Sequence, residues 1–379
     1  MLQIQNKKVF LTLLVVALTV LVMIGNPCAE VLVVDVNIHT PPRGKPNKRR
    51  FEALAAATNA SDQTTLPWIK AAASGMKLPH YLKYDENKLS PIRDQGTCAS
   101  CWSIGVTGIL ADRISVYTNG AINEELSKQE MISCWDGHQK MGCSVGGIPE
   151  LAYNYVIKNG IALEADFPYA QEFTKDIAIC KAKKSGRRVF AEDGSAVSLC
   201  VDPDQFKKGS KQYNNTIKAN IANMKQELYM RGPIVGTLMI HESTYDYDGL
   251  GVYKGSKKAN DKFIGGHVVI ITGYADAGAN TDEPGFSGGY WICKQSWGLQ
   301  FPSKSPVHAG YMFVDMGTNC AGIESRASAC MPVITREIRE NMVNSLDASR
   351  FTSYEAYKRS PGRHNFVRKT TRLRRALGW

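Results

Sequence analysis

After Ser100 the apolar positions fall at Val106, Ile109, Leu110, Ile114 and Tyr117, the spacing of one buried helical face. The run stops at Asn119-Gly120, residues that end helices because they tolerate left-handed backbone. A short helix is predicted from about Leu126 to Cys134. Another runs from Pro149 to Lys158, opened by proline at its first position and closed by Asn159-Gly160. From about residue 231 the pattern changes to short β-rich runs: Ile234 to Ile240, Gly251 to Tyr253, His267 to Tyr274, Gly289 to Trp297 and Gly310 to Val314. Helices first and strands second predict an α+β protein of two lobes, with a cleft between them as the natural site.

The flanks read differently. Lys7-Lys8 precede an uncharged run of 17 residues, Val9 to Gly25. A basic start before an apolar stretch is the arrangement of a secretory signal, and the run falls just short of the roughly 18 to 20 residues of a membrane span. Residues 1–25 are therefore expected to be a cleaved signal peptide or a retained signal-anchor. Either route brings the chain into a lumen where disulfides form, so its ten cysteines are expected to include bridges. The expected location is the secretory pathway: secreted, lysosome-like or anchored to a membrane. Two sequons, at Asn59 and Asn214, are compatible with that route. Residues 26–77 hold a Pro-, Arg- and Lys-rich stretch at 41–50 and an Ala-rich one around 53–73, which suit a stalk or a removable propeptide better than a core.

Globular sequence begins at Leu78-Pro79. The net charge of +11 is concentrated in part at the other end: from Lys358 onward there are eight basic residues and no acidic one. Residues 331–379 are thus a basic C-terminal extension, either solvated or in contact with a polyanion.

The nonapeptide Gln95 to Ser103, Gln-Gly-Thr-Cys-Ala-Ser-Cys-Trp-Ser, carries the chemistry. Cys101 stands in the first turn of the predicted helix, where the helix dipole lowers a thiol pKa and favours the nucleophilic thiolate. Gln95 supplies an amide that can donate to an oxyanion. A thiolate needs a histidine partner, and that histidine needs an orienting group on its other nitrogen. Of seven histidines, His267 is the strongest candidate: it opens the apolar run Val268-Val269-Ile270-Ile271 behind Gly265-Gly266. His241 and His308 have no comparable surroundings. Cys98 and Cys101 also form a Cys-x-x-Cys that leaves a redox role open. No second Cys-x-x-Cys or His-x-x-x-His accompanies it, so no metal site is expected.

The stretches around Cys101 and His267 resemble those of papain-family cysteine proteases. Cys98-Ala99-Ser100-Cys101-Trp102 matches the family motif, with Ala99 where glycine is usual. Leu126-Ser127-Lys128-Gln129-Glu130 is similar to the family's Leu-Ser-Glu-Gln-Glu helix. Gly142-Cys143-Ser144-Val145-Gly146-Gly147 resembles its substrate loop with one residue more. Tyr290-Trp291-Ile292-Cys293-Lys294-Gln295-Ser296-Trp297-Gly298 resembles its Tyr-Trp-x-x-Lys-Asn-Ser-Trp-Gly strand, and Gly322-Ile323-Glu324-Ser325 is similar to the cathepsin B branch. The resemblance covers residues 78–330.

It implies a papain-like fold with a helical left lobe, an antiparallel β-barrel right lobe and the site between them. It implies a monomeric endopeptidase acting on proteins or peptides without a cofactor. Cys101 would attack the scissile carbonyl, and His267 would form the imidazolium and protonate the leaving amine. Gln95 and the Cys101 N–H would hold the oxyanion, and Trp297 would shield His267 from water. Gly146 and Gly147 would pair with an extended substrate. The implied disulfides are Cys98 with Cys143, and Cys134 with Cys180 or Cys200; Cys293 reads as a free core thiol.

Three departures matter. Gln295 replaces the family's orienting asparagine, and its extra methylene sets the amide oxygen about 1.5 Å farther out. That leaves two readings: an active protease, or a weak or inactive peptide-binding relative. Arg326 falls where the family lines the floor of the pocket for the second residue before the cut, which would favour an acidic side chain there; the alternative is a solvent-facing arginine. Residues 170 to 230 contain no histidine, whereas a histidine pair supports carboxydipeptidase activity in cathepsin B.

Overall fold

The computed structural model describes residues 77–333 except 136–142, 144–145, 171–179, 181–187, 257, 259, 282–285, 287 and 303. The segment 1–25, residues 26–76 and the chain beyond 333 lie outside the described residues, and with them the expectations of signal, stalk or propeptide, membrane anchoring and polyanion contact. Among the described residues no helix is long and apolar enough to cross a membrane.

The described helices are α1 (Cys101–Tyr117), α2 (Lys128–Cys134), α3 (Pro149–Asn159) and α4 (Lys211–Arg231). The strands are β1 (Tyr81–Lys83), β2 (Ile161–Ala162), β3 (Arg188–Val189), β4 (Val197–Ser198), β5 (Ile234–His241), β6 (Phe263–Ala275), β7 (Tyr290–Lys294), β8 (Tyr311–Asp315) and β9 (Ala327–Ala329). Helix α1 stops where expected: Asn119 (φ 54°) and Gly120 (φ 86°) leave it in left-handed backbone. Ser127 caps α2 by accepting from the Glu130 N–H, and Gly160 (φ 67°) ends α3.

Helix α1 differs from the single-faced helix its pattern predicts. Every residue from Cys101 to Arg113 is buried, because the helix packs on β6 on one side and on α2 and α3 on others. Several of its buried polar residues are tolerated because they are hydrogen-bonded. Ser103 donates to the Lys128 carbonyl, Thr107 to the Ser103 carbonyl, and Asp112 accepts from the Ser90 N–H and Lys294. Two glycines permit the close approach of β6: a Cβ at Gly105 would lie 2.5 Å from Val268 Cγ1, and one at Gly108 2.4 Å from Ile270 Cδ1.

Helix α4 has no counterpart in the predicted elements. Its stripe is present at Tyr213, Ile217, Met224 and Leu228, behind a Ser210 cap that accepts from the Tyr213 N–H. The buried face also carries Asn220, Gln226, Glu227 and Arg231, and these polar positions blur the 3.6-residue period. Asn220 is held by both Val201 backbone groups and the Glu324 carbonyl.

The strands form a seven-stranded antiparallel sheet in the order β4-β9-β5-β6-β7-β8, with β1 also paired to β6. Among the described residues this path is open, not a hydrogen-bonded ring, so the expected barrel differs in closure while the α+β architecture holds. Gly251 to Tyr253 contributes only an isolated bridge, Tyr253 with Val314, and the run from Gly289 to Trp297 leaves the ladder after Lys294. Alternation along β5 and β6 divides their side chains between two cores. Ile234, Leu238, Val269 and Ile271 enter one that also holds Met224 and Leu228 of α4. Val235, Val268 and Ile270 enter the helical core with Cys101, Trp102 and Tyr153.

Buried charges join the two parts. Arg113 of α1 bonds Glu227 of α4 at 3.0 Å, and Lys294 of β7 bonds Asp112 of α1 at 2.7 Å. Lys128 lies 2.7 Å from Glu125 and 3.3 Å from Glu164, and Arg93 also pairs with Glu125. Desolvation, only partly offset by Glu164, lowers the Lys128 pKa to about 8. Between pH 8 and the unfolded value near 10.5, the folded chain has released a proton that the unfolded chain retains. Stability from this group therefore rises with pH through that window, by at most about 3 kcal/mol. Urea unfolding at pH 7.5 and 9.5 should show the rise in the native protein and lose this contribution in Lys128→Met.

Candidate active site

The start of helix α1 meets the interior of strand β6, which begins four residues before His267 and so does not open on it as its apolar run suggested. The turn Gln95 to Ser100 delivers Cys101 to the first position of α1. Pairing of β5 with β6 sets Leu238 opposite His267, one residue before the Val268 that packs on Gly105. The Val268 N–H donates to Cys101 Sγ at 3.3 Å. Both Cys101 and His267 are fully buried.

His267 Nε2 lies 2.9 Å from Gln295 Oε1. An amide oxygen can only accept, so Nε2 carries the proton and donates. The other ring nitrogen, Nδ1, is then the one that can exchange a proton with a neighbouring thiol. Gln295 follows β7, and its own N–H donates to the Gly310 carbonyl at 2.8 Å. The longer side chain therefore reaches the histidine. Trp297 stacks on the imidazole with centroids 4.3 Å apart and planes inclined by 21°, and Tyr245 packs on Trp297. Trp297 thus covers one face of the His267 ring.

Gln95 is buried and fixed from several sides. Its Oε1 accepts from Ser296 Oγ at 2.6 Å, its Nε2 donates to the Cys98 carbonyl at 3.1 Å, and its N–H donates to the Ser296 carbonyl. Tyr169 Oη donates to the Gln95 carbonyl at 2.7 Å and lies 2.6 Å from Ser100 Oγ. Ser296 stands in a quoted motif, yet its hold on Gln95 appears only in three dimensions. Tyr169 carries no sequence signal, because it lies 74 residues from its partner.

The two disulfides among the described cysteines are Cys98–Cys143 and Cys134–Cys180. The first ties the turn before Cys101 to the loop carrying Gly146 and Gly147, and the Ala99 N–H donates to the Cys143 carbonyl. With Cys98 bridged and Cys101 a free thiol, a redox role for this Cys-x-x-Cys falls. Cys200 is free and buried, with its pKa raised by desolvation; Cys293 is likewise a buried free thiol. Gly147 has no room for a side chain: a Cβ would lie 2.4 Å from the Trp102 ring. Among the described residues no group of His, Cys, Asp and Glu could hold a metal.

Arg326 is largely buried, not solvent-facing. Its carbonyl accepts from the Thr237 N–H, Nη2 lies 3.8 Å from Asp202, and Nη1 faces Met239 Sδ at 3.9 Å. Desolvation lowers its pKa, and Asp202, Asp204 and Glu150 oppose that shift.

A free thiol at a helix start beside an oriented imidazole, with a fixed amide six residues earlier, can perform acyl transfer. Comparison with known proteins gives this arrangement a lineage: residues 78–331 match the family model described as papain family cysteine protease. The chain belongs to that family. This cysteine protease is 30% identical over 269 residues to cathepsin B-like cysteine proteinase 5 of Caenorhabditis elegans, covering 65% of this chain and 71% of the relative. The gut-specific cysteine proteinase of the same organism is 28% identical, with 63% of this chain and 67% of the relative covered. Among solved structures, procathepsin B S9 from Trypanosoma congolense aligns with a TM-score of 0.51 at 22% identity, covering 69% of this chain and 80% of that one. That structural likeness speaks for the protease's fold.

Proposed function

We propose that this protease is an active endopeptidase in which Cys101 attacks the scissile carbonyl and forms an acyl-enzyme. His267 takes the thiol proton at Nδ1 and returns it to the leaving amine. Gln95 Nε2 and the Cys101 N–H hold the oxyanion, and Gln295 keeps the imidazole in plane. Gly146 and Gly147 pair with the substrate as an added strand does. The observation that carries this reading is the 2.9 Å contact between Gln295 Oε1 and His267 Nε2, since the weak or inactive alternative rested on glutamine failing to orient the histidine. Labelling with a vinyl-sulfone or epoxide thiol probe tests it. The expected result is stoichiometric modification at Cys101 and none in Cys101→Ser. A folded, processed protein that never reacts sinks the reading.

The same reading assigns residues 26–77 as a removable propeptide behind a signal, on a secretory or lysosomal route; N-terminal sequencing of the secreted product should then begin near Leu78. Absence of histidine from 170 to 230 supports endopeptidase over carboxydipeptidase action.

Arg326 is proposed to contact the second residue before the cut. Asp202 already occupies part of its charge, so the preference for acidic side chains is modest. In a peptide library, Asp202→Asn should raise that preference about 2- to 5-fold, the worth of one released ion pair, while Arg326→Ala abolishes it. A library profile unchanged in both variants rejects the role.

A further inference from the structure

We infer that Met312 is a positioning residue for the active site, acting through Gln295 on His267; this rests on the catalytic roles proposed above. Gln295 differs from the family's asparagine by one methylene, which adds a rotatable bond between the backbone and the carboxamide. A longer side chain needs a second anchor to present its oxygen to the imidazole. That anchor is Met312 of β8, whose Sδ lies 3.5 Å from Gln295 Nε2. Register sets the contact: Met312 pairs with Cys293 across β7 and β8, and the Gly310 carbonyl two residues earlier accepts the Gln295 N–H. Gln295 is thus held at its amide nitrogen by β8 and at its backbone by the residue just before that strand.

Sulfur selects the orientation. A thioether accepts hydrogen bonds and cannot donate them, so it takes the NH2 end of the carboxamide. The oxygen end then faces His267 Nε2 at 2.9 Å. In the reverse orientation, two N–H donors would meet at His267 and two lone-pair-bearing atoms would meet at Met312. Both contacts would be repulsive. Met312 is fully buried, packed in the core beneath the sheet, so the sulfur cannot swing away to solvent. One acceptor without a proton therefore fixes the histidine tautomer that leaves Nδ1 to the thiol.

Met312→Leu removes the acceptor while nearly conserving volume, a change that cores tolerate well. In this variant kcat should fall about 3- to 10-fold with KM little changed, since an imperfectly aimed base slows chemistry without weakening binding. In a Gln295→Asn background the shorter amide no longer reaches Met312, and the same substitution should then leave kcat unchanged. An equal loss of kcat in both backgrounds overturns the proposal. Proton NMR of the His267 Nε2–H supplies a readout independent of turnover. Met312→Leu should speed its exchange with solvent, and unchanged exchange also counts against the role. A native protein without turnover would sink the proposed function, while the exchange measurement still decides the Met312 contact.

Discussion

Replacing His267 by alanine is expected to lower kcat/KM about 10³- to 10⁴-fold, the upper range for loss of a general acid–base that also maintains a thiolate. In the proposed mechanism the residue works through both ring nitrogens. Nε2 is committed to Gln295 Oε1 at 2.9 Å, which leaves Nδ1 for the proton that Cys101 gives up and the leaving amine receives. Alanine removes the imidazolium partner, so Cys101 reverts towards an ordinary thiol beside the Val268 N–H. Alkylation by a neutral thiol reagent separates this from unfolding. In the native protease its rate should stay high well below the pKa of a free thiol; in His267→Ala it should climb only as pH approaches about 8.5. A variant that keeps the native alkylation profile would show that another group activates Cys101. Trp297 also loses its stacking partner, so a small fall in melting temperature should accompany the kinetic effect without explaining it.

Asp112→Ala should destabilise the fold by about 3–5 kcal/mol, the range for stranding one member of a buried ion pair. Lys294 is almost wholly buried and donates to Asp112 Oδ2 at 2.7 Å as well as to the Ser90 hydroxyl and carbonyl. Burial lowers its pKa, and Asp112 is the largest opposing influence. Without the carboxylate, the ammonium faces the Ser90 oxygens alone in a low-dielectric interior. The second substitution discriminates between charge and packing: Asp112→Ala with Lys294→Met should recover most of the lost stability, because no unpaired charge remains. Urea denaturation of the three proteins checks this. If the double variant is as unstable as Asp112→Ala, the loss comes from packing around α1 and not from the stranded cation. The pair links α1, which starts at Cys101, to the residue preceding Gln295. Activity should therefore fall in Asp112→Ala even under conditions where the protein remains folded.

Local order explains which elements could be read before the fold was known. Helix α1 and its stop at Asn119-Gly120, the short helix near Leu126 to Cys134, the Pro149 start and the strands β5 to β8 all announce themselves within a dozen residues. What went unread is either masked or distant. Helix α4 hides its stripe behind Asn220, Glu227 and Arg231, whose burial is affordable only through Arg113, Val201 and Glu324 elsewhere in the chain. Strand β1 exists because it pairs with Gly273 to Ala275, almost two hundred residues away. The run at Gly251 to Tyr253 looks like a strand, yet apart from its bridge to Val314 it forms no ladder.

Apart from the orienter Gln295, which only the family resemblance put forward, residue type and near neighbours offered the site candidates: a cysteine nucleophile, a histidine opening an apolar run and an amide donor. They are legible locally because a thiolate gains from a helix start and an apolar run shows its own period. Whether the orienter reaches was decided in three dimensions: the register of β7 with β8 brings Gln295 to within 2.9 Å of His267 and sets Met312 behind it. Packing likewise turned Arg326 from a candidate free cation into a partner of Asp202, and buried α1 on all sides. Ångström distances between residues far apart in the chain come from strand register and close packing, which no local pattern encodes.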